Sequence, residues 1–219
     1  MNNRCRIHQV LQTFFGALGF ANAKERWTYR NQEPVISIVE IKEHAPVNQF
    51  TITFGFYSPK ICRLRGRTPE DSIAECNSSG LGFSLQSIDI HPPTPLGWSD
   101  NEPDHSASIE RLPAELEIKY CPIFRKLVAI EQWIEFCETQ LNKYPSGKGK
   151  YWTLMVDAML ILKSHSVETI DEAIRRHESE QDGKCQNRLE YQIQRQRQLL
   201  EFRKKSPDDF DELFGDEKR

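Results

Sequence analysis

From Phe50 to Tyr57 the chain alternates, with Phe50, Ile52, Phe54 and Phe56 at every second position and Thr51, Thr53, Gly55 and Tyr57 between them. This period suits a strand and not a helix, in which same-face neighbours recur at three and four. It predicts a sheet with one face in a core and the other free for water or a partner. Ser58 and Pro59 read as the end of the strand, because proline lacks a ladder donor.

The segments before this strand suit the same sheet. Ile7, Leu11, Phe14 and Leu18 recur at helical spacing, and Gly19 follows where a left-handed cap is cheap. Trp27 and Tyr29 alternate with Thr28 and Arg30, residues 31–34 turn the chain, and Val35 to Ile41 form an apolar strand. The expectation is a helix followed by a three-stranded antiparallel meander. Residues 58–110 are rich in Pro, Gly, Ser and Asp and read as loops, with one strand from Phe83 to Ile90 that the prolines at 92, 93 and 95 must break.

From Ile123 the period changes. Ile123, Leu127, Ile130, Ile134, Cys137 and Leu141 step by four and three, predicting one long amphipathic helix that Tyr144 to Gly147 close. Tyr151 to Leu162 is apolar nearly all round and reads as a central buried helix. Val167, Ile170 and Ile174 mark a third, with Thr169 and Glu172 as a capping box. The next helix is polar, with Leu189, Ile193 and Leu200 on a narrow seam and Gln196 where that seam wants an apolar residue. It is expected to be exposed, packed on one surface or paired with a partner helix. After Lys205 the chain turns acidic, and the tail is expected to be flexible, three apolar side chains being too few to offset its ordering entropy.

The boundaries read from these shifts are an α+β domain at 1–120, a helical unit at 121–183 packed on it, an exposed polar helix at 184–205 and an acidic tail at 206–219. The fold class expected is α+β, an N-terminal helix on an antiparallel sheet followed by a helical C-terminal half. A formal net charge of −3 gives no global reason to expect nucleic acid. No apolar run reaches the roughly 18 residues of a membrane helix, and the start lacks a signal-peptide core, so a cytoplasmic protein without membrane contact is expected. The six cysteines, at 5, 62, 76, 121, 137 and 185, form no C-x-x-C pair and read as reduced and structural.

Four short blocks carry a resemblance. Phe14 to Phe20 ends in Leu18-Gly19-Phe20, Trp27 to Arg30 supplies Trp-Thr-Tyr-Arg, Val35 to Val39 is apolar, and Phe50 to Pro59 contains Gly55-Phe56-Tyr57. In this order they resemble the DUF4304 family of bacterial proteins over the first 60 residues. The resemblance implies a helix on an antiparallel sheet and no assigned biochemical role. It also implies the setting of toxin, immunity or phage-defence systems, and hence a larger protein partner.

Candidate chemistry is sparse. Glu40-Ile41-Lys42, and again Glu117-Ile118-Lys119, have the Glu-x-Lys spacing of a metal-dependent nuclease strand, where alternate residues share a face. The plain alternative is charge on a wet strand face. Arg63, Arg65 and Arg67 alternate and, if extended, present three cations to nucleic acid or an acidic partner. His91, His105, Asp100, Glu102 and Asp104 are numerous but irregularly spaced for a metal, and Gly147 to Lys150 lacks the spacing of a phosphate loop. Phe210, Leu213 and Phe214 lie at i, i+3 and i+4 within an acidic segment, the form of a short docking motif.

The functional expectation is a non-enzymatic interaction module, an immunity, adaptor or accessory subunit that binds a larger partner. Its expected contacts are Leu189, Ile193, Leu200, Phe210, Leu213 and Phe214, with Arg63, Arg65 and Arg67 as a site for nucleic acid or an acidic partner. No catalytic residue, metal or cofactor is assigned. The alternatives are a metal-dependent nuclease using Glu40 and Lys42, and a nucleic-acid-binding accessory protein.

Overall fold

Asn2 begins the first helix by accepting the Cys5 amide on its side chain, and Gly19, at φ 84°, ends it. The amides of Gly19 and Phe20 return to the carbonyls of Gly16 and Phe15, the paired bonds of a Schellman cap. The buried seam of this helix is Asn3, Ile7, Leu11 and Phe15, whereas Leu18 is 36% exposed. Phe15 wins over Phe14 because it meets Phe20 at 5.0 Å and Phe124 at 6.1 Å between ring centroids.

The computed structural model describes residues 2–23, 26–30, 35–44, 49–66, 83–86, 98–99, 105–119, 121–143, 148–179 and 186–214. In chain order the elements are α1 Asn3–Ala17, β1 Ala21–Ala23, β2 Arg26–Arg30, β3 Ile36–His44, β4 Gln49–Tyr57, α2 Pro59–Leu64, β5 Phe83–Gln86 and β6 Trp98–Ser99. After them come α3 Ser106–Lys119, α4 Cys121–Lys126, α5 Ile130–Lys143, α6 Lys148–Ile161, α7 Val167–Ser179, α8 Gln186–Lys205 and α9 Pro207–Phe214.

The chain divides into two compact units. The first holds residues 1–57 and 74–128, and the second 58–73 and 129–219. The cut therefore falls after Val128, and residues 58–73 leave the N-terminal part for the second unit.

In the first unit the strands run β1-β2-β3-β4-β5, all antiparallel, and β6 pairs with β4 beside Gln49 and Phe50. The β3–β4 register sets Glu40 opposite Thr53 and Ile41 opposite Ile52. Val35, Ile36, Ser37, Ile38 and Val39 are all buried, so along this stretch of β3 neither face is the free one expected from the pattern of β4. The continuous apolar run of β3 records that double burial; an alternating neighbour does not.

The expected fold class needs correction. Most of the described regular structure is helical, and the sheet is the smaller part of a mostly helical chain, not the frame of an α+β one. Two helices, α2 and α3, occupy stretches that read as loop or strand. At α2 one signal has two meanings: Ser58 accepts the Ile61 amide and Pro59 takes the first turn, so the pair opens a helix as well as ending a strand. The long helix expected from Ile123 is broken at residues 127–129, where Gln132 reaches back to the Ala129 amide and starts α5 afresh. Ser166, one turn before Thr169, caps α7.

Among the described cysteines all are free, Cys5 exposed and Cys62, Cys121 and Cys137 buried. The Cys121 thiol is pushed up to about 12 by burial and by its hydrogen bond to the Glu117 carboxylate, which Arg125 also holds. At pH 8 this thiol stays protonated and unreactive. Brief alkylation of the native protein with iodoacetamide is therefore expected to label Cys5 and spare Cys121, Cys62 and Cys137, as read by peptide mass spectrometry.

Candidate functional site

The second unit is built around α6. Residues 152–161 are all buried, yet two of them, Thr153 and Asp157, are polar and stand one turn apart. They face Gln192 and Gln196, also one turn apart, on α8. Gln196 donates from its amide to the Asp157 carboxylate at 2.9 Å and to the Thr153 carbonyl at 3.1 Å. The Thr153 hydroxyl gives its proton to the Gly149 carbonyl at 2.8 Å and lies 3.3 Å from the Gln192 amide group. The other Asp157 oxygen takes the Arg65 guanidinium at 2.6 Å. Arg195 donates to the Leu64 carbonyl at 2.8 Å, and Gly66, at φ 70°, has no Cβ to crowd it. Polar matching thus ties α2 and α8 to α6.

Arg203 closes the end of α6. Its guanidinium donates to the carbonyls of Met159 and Leu160 in the last turn of the helix, where intrahelical donors run out, and to those of Leu162 and His165 just beyond it. Burial there holds Arg203 below the ordinary arginine range.

These contacts relocate the residues expected to bind a partner. Ile193, Gln196 and Leu200 form a buried seam by which α8 packs on α6 and α7, as a helix packed on one surface would, while Tyr191, Gln194, Gln198 and Glu201 stay exposed. The seam is therefore used by the fold and not free for a partner. Gln196 occupies the interior with its amide nitrogen donating to Asp157 and to the Thr153 carbonyl, while its side-chain oxygen is buried without a hydrogen-bond partner. The side chain of Leu189 lies outside the described residues. Phe210 is 1% exposed and packs on Phe202 at 5.7 Å and Phe214 at 5.0 Å. The segment expected to be a flexible tail is instead helix α9 over residues 207–214, pinned also by Lys163 to Asp211 at 2.7 Å. Leu213 is 55% exposed and Phe214 partly so.

The cation strip is not formed as expected. Arg63 is exposed on α2, but Arg65, just past the helix end, points into the Asp157 pair, and Arg67 lies outside the described residues. A helix turns alternate positions away from one another, which is why Arg63 and Arg65 separate. The same geometry removes the second Glu-x-Lys pair, because Glu117 and Lys119 lie on α3. Glu40 lies on β3 and is partly buried. His105 is buried just before α3, whereas His91, Asp100, Glu102 and Asp104 lie outside the described residues. Among the described residues no three His, Cys, Asp or Glu side chains gather as metal ligands, and no helix is long and apolar enough to cross a membrane.

A feature that the sequence alone does not disclose is a groove between α5, α6 and α7, about 530 Å³ in volume. Trp152, Met155 and Met159 from α6 form its floor, with Leu141 and Ala173 beside them. Glu138 and Asn142 from α5, and Thr169, Glu172 and Arg176 from α7, form its rim. Behind the floor, buried His177 stacks nearly parallel to Trp152, at 13° and 6.2 Å. Met155 and Met159 are core residues, as their helix pattern implies; the signal available for the groove is that the exposed stripe of α5 borders them. A space of this size suits a small ligand or several side chains of a partner, and two methionines give it a floor that can repack.

Comparison of the chain with protein families, with curated proteins and with solved structures returned no match.

Proposed function

We propose that this chain is a non-enzymatic protein-interaction module that docks a segment of a larger partner in the α5–α6–α7 groove. The observation that carries this reading is the groove itself, with an apolar floor set below a polar rim. That is the composition of a site where buried anchors supply affinity and the rim supplies specificity. Leu213 and Phe214 stay in the proposal as a secondary contact, whereas Ile193, Leu200 and Phe210 leave it because the fold uses them. The DUF4304 resemblance of the first 60 residues adds the proposed setting, a cytoplasmic immunity, adaptor or accessory subunit of a toxin or phage-defence system.

The test compares the tagged full chain with its Ala173→Met variant, each captured from cells that also express the neighbouring genes. Ala173 lines the groove on a helix, so a longer side chain fills the space where methionine is a good helix former. The expected result is one stoichiometric partner with the native chain and at least a tenfold loss with the variant, which remains folded at the assay temperature although enlarging the buried Ala173 costs about 1–3 kcal/mol. Equal recovery by both chains would remove the groove from the function.

A further inference from the structure

The chain has three methionines, and apart from Met1 both stand in the groove. Met155 and Met159 are four residues apart on α6, so they share a face with Trp152 and lie one turn from each other. Each is 5% exposed, and the space of about 530 Å³ beside them admits a molecule little larger than water. The described thiols of the same unit are less accessible: Cys62 and Cys137 are 0% exposed, and neither lines the groove. Among the described sulfur groups of the second unit, the two thioethers are therefore the ones that an oxidant entering the groove meets. A thioether also differs from the neighbouring Leu141 and Ala173 in that one added oxygen turns it from apolar to polar.

We infer that the groove is switched by oxidation: a hydroperoxide converts Met155 and Met159 to sulfoxides, and the oxidised floor releases the docked segment. The inference rests on the reading of the groove as a docking site and adds its regulation. In each step a thioether lone pair attacks the terminal peroxide oxygen. The S–O bond forms as the O–O bond breaks, and sulfur gives two electrons to the peroxide. The proton of the attacked oxygen passes to the departing one, which leaves as an alcohol, or as water when the oxidant is hydrogen peroxide. Each sulfoxide sets a strong acceptor into a floor of Trp152, Leu141 and Ala173, where an apolar anchor of a partner would strip it of water and offer no donor in return. In the empty groove water solvates the sulfoxides, so oxidation acts on docking more than on the fold. The change is reversible, because sulfoxide reductases remove the oxygen as water at the expense of a pair of thiols.

The test treats the tagged full chain, and its variant with Met155→Leu and Met159→Leu, with dilute hydrogen peroxide, removes the excess with catalase, and captures partners from cells that express the neighbouring genes. Leucine nearly conserves volume and carries no thioether. Both chains keep the same six cysteines, so a thiol effect would appear in both. Each chain is compared with itself untreated, because leucine also alters the floor. The expected outcome is sulfoxide at Met155 and Met159 by peptide mass spectrometry and a fall of roughly tenfold or more in recovery by the native chain. Recovery should return after treatment with sulfoxide reductases for both epimers, change by less than about twofold in the variant, and leave the amides of α6 protected from hydrogen exchange in the oxidised chain. Recovery that survives sulfoxidation, falls equally in the variant, or is lost together with the protection of α6 would overturn the inference while leaving the docking reading intact. So would unmodified Met155 and Met159 under conditions that oxidise free methionine. No partner with the untreated native chain would overturn both. Should the leucine variant capture nothing before treatment, the reductase arm decides: recovery restored supports the inference, and recovery not restored overturns it.

Discussion

Replacing Phe210 with alanine is expected to release α9 from the second unit. The side chain is 1% exposed and sits against Phe202 and Phe214, so truncation removes a buried ring and leaves a cavity between two others. Such a change costs about 3–5 kcal/mol in a rigid core. At α9 the loss is expected near the lower end, about 3 kcal/mol, because a short terminal helix undocks instead of holding a cavity open. Hydrogen exchange should then show amides 207–214 unprotected while α6 stays protected. Leu213→Ala, at a site 55% exposed, is expected to change stability by less than about 0.5 kcal/mol. The two variants separate a structural aromatic from a surface aliphatic residue within a single turn of helix. Equal effects on urea unfolding would contradict the docked position of α9.

The second large effect is expected at Asp157. Its carboxylate is 4% exposed, and the replacement Asp157→Ala strips the Arg65 guanidinium and the Gln196 amide of their shared acceptor. Removing one partner of a buried pair costs about 3–5 kcal/mol, because the remaining charge has lost its compensation and stays partly out of water. A triple variant, Asp157→Leu with Arg65→Met and Gln196→Leu, removes the polar groups together and is expected to recover most of that loss. Chemical denaturation of the native chain and the two variants checks this. A triple variant as unstable as Asp157→Ala would show that packing, not polar matching, holds α2 and α8 on α6.

These two sites also show where the sequence is readable. Alternation in β4, apolar continuity in β3 and the Leu18-Gly19 stop of α1 are local signals, and each gives its element correctly. The overall balance is harder to read because helix starts and strand stops share residues: Ser58-Pro59 serves both, and only the side chains beyond the pair decide between them. The long stripe from Ile123 conceals a break, since Leu127 and Ile130 keep helical spacing across three non-helical residues. The polar character of α8 misleads for another reason. Burial of Gln196 depends on Asp157, thirty-nine residues away, and no window of sequence contains both. Phe210 in an acidic octet looks like a docking motif because a motif that binds a partner and a helix that binds its own chain have one pattern. The groove is invisible for the same kind of reason: its floor comes from α6, which is apolar nearly all round, and its rim from α5 and α7, each of which alone presents an ordinary amphipathic face.

The most direct measurement on the central claim is site-specific photo-crosslinking in cells, with a photoreactive amino acid placed in turn at Asn142, on the groove rim, and at Glu110, exposed on α3 of the first unit. The account predicts a discrete adduct with one partner protein from Asn142, none from Glu110, and loss of the Asn142 adduct when Ala173→Met, which fills the groove, is added. Adducts of equal strength from both positions, or an Asn142 adduct unaffected by Ala173→Met, would contradict docking of a partner segment in the groove.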